Sequence, residues 1–122
     1  MAYSVLVVDQ HPMVLATWIA PLRDAGYDVA ATTSFEEARQ RLAMRPPNLL
    51  IASSRLGGFN GMHLVLCGHV TQPGMTAIVT TLARDPVLEA EATAFGASCV
   101  VAPENRAELL AVVSRAFSSR PM

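Results

Sequence analysis

Five short apolar runs recur along the chain, and after each one the apolar residues return every three to four positions. Tyr3-Ser4-Val5-Leu6-Val7-Val8-Asp9 reads as a near-continuous buried strand with an acidic end. A helix starts at Pro12, because proline is pre-shaped for a first helical position. Met13, Val14, Thr17, Trp18, Leu22 and Ala25 fall on its inner face, Pro21 is expected to kink it by removing a hydrogen bond, and Gly26 closes it. Residues 27–31 form a short second strand. Ser34 and Glu37 have the spacing of a capping box at the next helix start, and Arg45-Pro46-Pro47 ends that helix.

The third run, Leu49-Leu50-Ile51-Ala52-Ser53-Ser54-Arg55-Leu56-Gly57-Gly58, passes from apolar to polar to glycine, so its far end reads as a loop that delivers two hydroxyls. Asn60-Gly61 leads into a helix whose inward residues are Met62, Leu64, Val65, Leu66 and Val70. Gln72-Pro73-Gly74 turns the chain into a fourth strand at 75–81. Asp85-Pro86 pairs an N-cap with a first helical residue, Leu88, Ala92 and Phe95 face inward, and Gly96 is a left-handed stop. Residues 98–102 make a fifth strand. Asn105 with Glu108 caps a last helix that buries Leu109, Leu110, Val113, Ala116 and Phe117.

Strict alternation of strand and helix predicts a parallel sheet, since parallel neighbours need crossover connections. An open sheet of this kind binds ligands at the carboxyl ends of its strands. Four such ends bring together Asp9-Gln10, Ser53-Ser54, Thr80-Thr81 and Ala102-Pro103. One domain is expected over residues 1–118, with a tail at 119–122.

Composition narrows the chemistry. The chain is 52% hydrophobic and 16% charged, which suits a sheet covered on both faces. A net charge of −1 leaves no electrostatic footprint for nucleic acid or for a membrane surface. No apolar run has bilayer length, and Met1-Ala2-Tyr3-Ser4 lacks a basic-then-apolar leader, so a cytoplasmic protein is expected. Cys67 and Cys99 then read as reduced, buried apolar residues rather than a metal site. All nine basic residues are arginine, so no ε-ammonium is available anywhere, and Asp9, Asp24, Asp28 and Asp85 are the only aspartates.

The stretches Val5-Leu6-Val7-Val8-Asp9, Arg55-Leu56-Gly57-Gly58-Phe59-Asn60-Gly61, Thr80-Thr81 and Gly96-Ala97 followed by Ala102-Pro103 resemble the receiver domain of bacterial response regulators. The resemblance runs from about Tyr3 to Phe117. It implies a flavodoxin-like, three-layer doubly wound (βα)5 fold with strand order 2-1-3-4-5. In that family two acids end strand one and an aspartate ends strand three. They hold magnesium, and the aspartate accepts a phosphoryl group, which a strand-four hydroxyl and a strand-five lysine contact. Carried over by position, the acids fall on Asp9 and Gln10, the phosphoacceptor on Ser53, the hydroxyl on Thr81 and the lysine on Ala102.

Magnesium favours hard anionic oxygens, so Asp9 beside neutral Gln10 and Ser53 makes a poor site, and no metal or cofactor is expected. The resemblance therefore implies a phosphorylation-independent, non-enzymatic signalling module acting through another protein or an output domain. The implied contact surface is helix four, strand five and helix five, which would present Arg84, Glu89, Glu91, Arg106 and Arg115, and could form a homodimer. The aromatic that the family couples to the Thr81 position is replaced by Cys99 or Val100. Gly57, Gly58 and Gly61 are expected to loosen the loop after strand three.

Other readings of the same residues are plainer or rarer. Ser53 serves as a local turn hydroxyl and Asp9 as a cap on the first helix. A metabolite bound in the neutral pocket is a second reading. A serine hydrolase using Ser53 or Ser54 with His11 is a third, but the G-x-S-x-G elbow is absent. His63 and His69 are expected away from the pocket, and Phe35, Trp18 and Phe95 in the core.

Overall fold

Val5, Leu6, Val7 and Val8 are all buried, which places their strand where both faces of a sheet are covered. In the computed structural model, which describes residues 3–118, this strand is β1 (Ser4–Val8). It lies between β2 (Asp28–Thr32) and β3 (Leu49–Ser53), and β4 (Thr76–Thr81) and β5 (Ser98–Val101) follow outward from β3. All pairings are parallel and the order is β2-β1-β3-β4-β5, the flavodoxin-like arrangement. Five helices alternate with the strands: α1 (Pro12–Asp24), α2 (Phe35–Met44), α3 (Gly61–Thr71), α4 (Pro86–Ala94) and α5 (Arg106–Ser118). Residues 119–122, the expected tail, lie outside the described residues.

Alternation along the strands divides the core in two. Leu6, Val8, Leu50, Ala52, Ala77 and Val79 meet Ala38 and Leu42 of α2, Leu64 and Val65 of α3, and Leu88 and Ala92 of α4. Val5, Val7, Leu49, Ile51 and Ile78 meet Leu15, Trp18 and Leu22 of α1, and Leu109, Val113 and Ala116 of α5. The strand bounds differ from the sequence expectation by a residue or two at their ends, where backbone pairing rather than apolarity sets the limit.

The helix faces need more correction. On α1 the buried residues are Leu15, Trp18 and Leu22, whereas Met13 is 79% exposed and Thr17 and Ala25 are also outside. The sheet selects the stripe 15, 18, 22, which carries the largest side chain, Trp18. Pro21 lies inside α1, and the helix continues through it to Asp24. On α3 Leu66 and Val70 point outward, Val70 at 85% exposure, and Phe95 at the end of α4 is exposed. Leu110 and Phe117 are only partly buried.

The caps also partner differently. Ser34 Oγ accepts the Glu37 N–H at 3.1 Å, but the reciprocal half of the box is not made. The Ser34 N–H donates instead to Thr32 Oγ1, and Glu37 pairs with Arg41. At α5, Asn105 Oδ1 accepts the Glu108 N–H while the Glu108 carboxylate accepts the N–H of Glu104.

One close approach sets the carboxyl end of β3. Gly61, the first residue of α3, sits so near β3 that a Cβ there would overlap the Ser53 carbonyl oxygen and lie 3.3 Å from the Ala52 methyl. Gly68, one helical stretch later, faces only the flexible end of Met75 and a Leu42 methyl. Gly61→Ala should therefore cost about 2 kcal/mol or more, since backbone cannot step aside. Gly68→Ala should cost less than about 1 kcal/mol, because the Met75 thioether can rotate away and alanine favours the helix. Urea unfolding of the two variants checks the order.

Candidate functional site

The strand registers carry the apolar runs to a common end. Val8 lies opposite Ala52, so Asp9 emerges beside Ser53. Ser53 lies opposite Thr80, and Thr81 lies opposite Val101, one residue before Ala102. Above these ends is a cleft of about 440 Å³ lined by Asp9, Gln10, Ser53, Ser54, Thr80, Thr81 and Ala102, with Val14, Leu82 and Arg55 among its walls. His11, Arg84 and Asp85 stand at the same opening, whereas Pro103 lies outside the lining.

The oxygens at the ends of β1 and β3 each accept a backbone N–H. Asp9, only 6% exposed, takes the His11 N–H on Oδ1 at 2.9 Å, which shapes the entry to α1. Gln10 takes the Gly57 N–H on Oε1 at 2.8 Å. Ser53 Oγ takes the Arg55 N–H at 3.2 Å, a local turn. The Ser54 N–H donates to the Thr80 carbonyl at 2.8 Å, so the chain leaves β3 still tied to β4. No hydrogen bond joins His11 to either serine among the described residues; its Nε2 lies 3.5 Å from Gln10 Nε2.

The loop after β3 is a hydrogen-bonded turn. Leu56 and Phe59 exchange two backbone hydrogen bonds, 2.8 and 3.0 Å, around Gly57-Gly58. Gly57 holds φ +65, the positive value that a two-residue hairpin turn needs at its first central position and that glycine takes without steric cost. The Phe59 ring then stacks on Phe35 of α2, centroids 4.3 Å apart and planes 9° off parallel, with His63 edge-on to Phe35 at 6.4 Å. Gly57 and Gly58 thus form the tip of a hydrogen-bonded turn. His69 lies elsewhere, with Nε2 2.9 Å from the Met75 carbonyl oxygen.

Alternation places Cys99, not Val100, on the sheet face that carries Thr81. Cys99 packs with the α2–α4 layer and Val100 with the α1–α5 layer. The proposed contact residues divide. Arg84 and Glu89 form an exposed ion pair at 3.3 Å, and Glu91, two residues on and so turned to another side of α4, is exposed. Arg106 instead reaches Asp24 of α1 at 3.3 Å. Arg115 lines a small cavity of about 110 Å³ with Ser98, Val100 and Val112. Among the described residues no cluster of three or more His, Cys, Asp or Glu side chains could hold a metal ion, and no helix is long and apolar enough to cross a membrane.

Sequence reasoning missed the bond from Gln10 to Gly57 and the place of Arg55 at the cleft mouth. The first joins residues 47 apart and leaves no periodic signal. The second follows from the tight turn at Ser53, which is a local and readable feature.

Comparison with known proteins places this geometry in context. A family model for the response regulator receiver domain matches residues 5–114. The chain is 27% identical over 101 residues to the methanol utilization control regulatory protein MoxX of Paracoccus denitrificans, covering 80% of this chain and 45% of that one. It thus spans about half the length of the curated relative it matches. Among solved structures, a CheY-like receiver domain protein from Methanospirillum hungatei superposes with a TM-score of 0.87 at 22% identity, covering 97% of this chain and 95% of that one. Chemotaxis response regulator CheY4 of Vibrio cholerae gives 0.85 at 23%, covering 95% and 99%. A putative response regulator from Chloroflexus aurantiacus gives 0.83 at 26%, covering 97% and 99%.

Burial pushes the Cys99 thiol above its ordinary pKa, and the Glu89 and Asp85 carboxylates push it the same way. The folded chain therefore holds the proton longer than the unfolded one. The resulting stabilisation is present below the thiol's unfolded pKa and is lost as pH rises through the folded value. At mildly alkaline pH, iodoacetamide should modify Cys99 several-fold more slowly in the folded protein than in urea, as followed by peptide mass analysis.

Proposed function

The chain belongs to the response regulator receiver domain family, and from that membership we propose that it is a signalling module that works without phosphorylation. Receiver domains of two-component regulators act on other proteins or on output domains. What this chain lacks is the chemistry for being charged with a phosphoryl group.

The observation that carries the reading is the engagement of the three oxygens at the ends of β1 and β3. Asp9, Gln10 and Ser53 each serve as acceptor for a backbone N–H. Only Asp9 bears a negative charge. Magnesium is held by near-octahedral hard oxygens, with carboxylates supplying the charge, and dehydrates reluctantly. One carboxylate already bonded to the chain, beside an amide and a hydroxyl, does not fit that demand. A serine hydroxyl is also a far weaker nucleophile than an ionised carboxylate unless an adjacent base activates it. At the position that resembles the family's lysine stands Ala102, and the chain has no lysine to substitute. With a serine at the end of β3 and no lysine to face it, Asp9 is the charge that remains buried at the strand ends, its Oδ1 held by the His11 N–H, while Arg55, Arg84 and Asp85 stand around the cleft and balance it to no net charge.

Signalling then rests on a surface that meets a protein. The α4–β5 side offers exposed Leu82, Val87 and Val101 beside the Arg84–Glu89 pair. Apolar contact with a mixed-charge rim suits a specific interface with an output domain or a second copy. Nothing in a net charge of −1 favours nucleic acid.

Incubation with magnesium and a small phosphodonor such as acetyl phosphate should leave the intact mass unchanged. A phosphoryl adduct on any residue of the cleft would refute the reading. The roomy mixed lining, with Val14 and Leu82 beside Ser54 and Thr80, favours a second reading in which the cleft takes a small uncharged metabolite. In that case one or more members of a metabolite library should raise the melting temperature in a concentration-dependent way, and a library without effect removes this alternative.

A further inference from the structure

We propose that Gln10 is a positioning residue that clasps the β3–α3 turn across the mouth of the cleft and holds the Phe59–Phe35 stack in a single arrangement without a bound ion. The regulatory meaning of the clasp rests on the phosphorylation-independent reading; the clasp itself rests on geometry. Gln10 follows Asp9 at the end of β1, and Gly57 is the first central residue of the turn. The two are 47 residues apart and are joined by a 2.8 Å hydrogen bond from the Gly57 N–H to Oε1. The other end of the Gln10 amide, Nε2, faces His11 Nε2 at 3.5 Å, so the oxygen is the end turned toward the glycine.

Among the described residues no other hydrogen bond ties the turn to the end of β1. The Leu56–Phe59 pairing closes it on itself, and Gly61 seats its far end against β3. Gly57 and Gly58 have open space where a Cβ would be, so neither contributes packing. Leu56, 3% exposed, roots the base of the turn in the α2–α4 core, and Phe59 rests on α2, so the bond from the Gln10 amide is what holds the glycine tip between them over the cleft. Phe59 is the next residue after the glycines and is 53% exposed, so holding the turn also fixes an aromatic face at the surface of α2. A neutral carboxamide does this at any ionic or phosphorylation state. The turn is thus set by the covalent chain rather than by a signal arriving in the cleft.

Amide hydrogen exchange read by NMR at Gly57, with amides of β3 and β4 as the folding control, tests the clasp. Gln10→Leu and Gln10→Ala remove the acceptor, and each should speed Gly57 exchange about three- to tenfold and shift the Phe35 and Phe59 ring resonances, with the strand amides unchanged. Gln10→Glu keeps an acceptor at the same reach and should hold Gly57 exchange near the parent rate. Unchanged exchange in the Leu and Ala variants overturns the proposal, as does equal acceleration in all three, which would make side-chain packing rather than hydrogen bonding the cause. A phosphoryl adduct in the mass experiment would refute the functional reading while leaving the Gly57 result intact, so the two failures are separable.

Discussion

Burial of both faces of the parallel sheet is the constraint on which the rest of the molecule depends. Val5 to Val8 and Leu49 to Ala52 have no solvent side, so polar chemistry is driven off the strands and onto their ends. Because the strands are parallel and in near register, the ends coincide, and Asp9, Ser53 and Thr80 are brought side by side by backbone pairing alone. The opposite end is tied by a different device. Ser4 and Asn48 bond one another through backbone and side chain, with the Ser4 N–H on Asn48 Oδ1 at 2.8 Å and the Asn48 N–H on Ser4 Oγ at 3.0 Å. The start of β1 is thus pinned to the start of β3, while the polar side chains gather at the other rim.

Within that rim, small residues divide the work between architecture and chemistry. Gly61 lets α3 start directly against Ser53, which holds the last residue of β3 at a fixed depth. Asp9, Gln10 and Ser53 then direct their oxygens at backbone N–H groups of the connecting loops. The His11 N–H is partly buried and finds its partner in Asp9, while the Arg55 and Gly57 amides are exposed and exchange water for a side-chain oxygen. Their side chains are used to shape the rim.

The sequence made the sheet legible because each strand is an apolar run with turn residues at both ends, and the alternation with helices left one topology. Helix faces were less legible. In α1 apolar residues fill two overlapping stripes, and only contact with the sheet selects Leu15, Trp18 and Leu22 over Met13. The residues from Leu56 to Ala83, which take in all of α3, include no Asp, Glu, Arg or Lys, so no charged stripe marks the outer side where Leu66 and Val70 lie. Caps were half legible, since Ser34 and Asn105 accept as expected while their own amides, or the glutamates opposite, found competing partners. At the cleft, the identities at Asp9, Ser53 and Thr81 were readable from strand ends, but the link from Gln10 to Gly57 was not, because register and turn geometry have to be known first.

The burial of Trp18 has a spectroscopic consequence. It is the only tryptophan, it is 3% exposed, and it sits between α1 and the α1–α5 face of the sheet. Intrinsic emission from this chain is therefore a gauge of how α1 seats on the sheet, shielded from collisional quenchers while the domain is folded. The turn carrying Phe59, on the other layer, stays dark to that gauge and needs a reporter of its own.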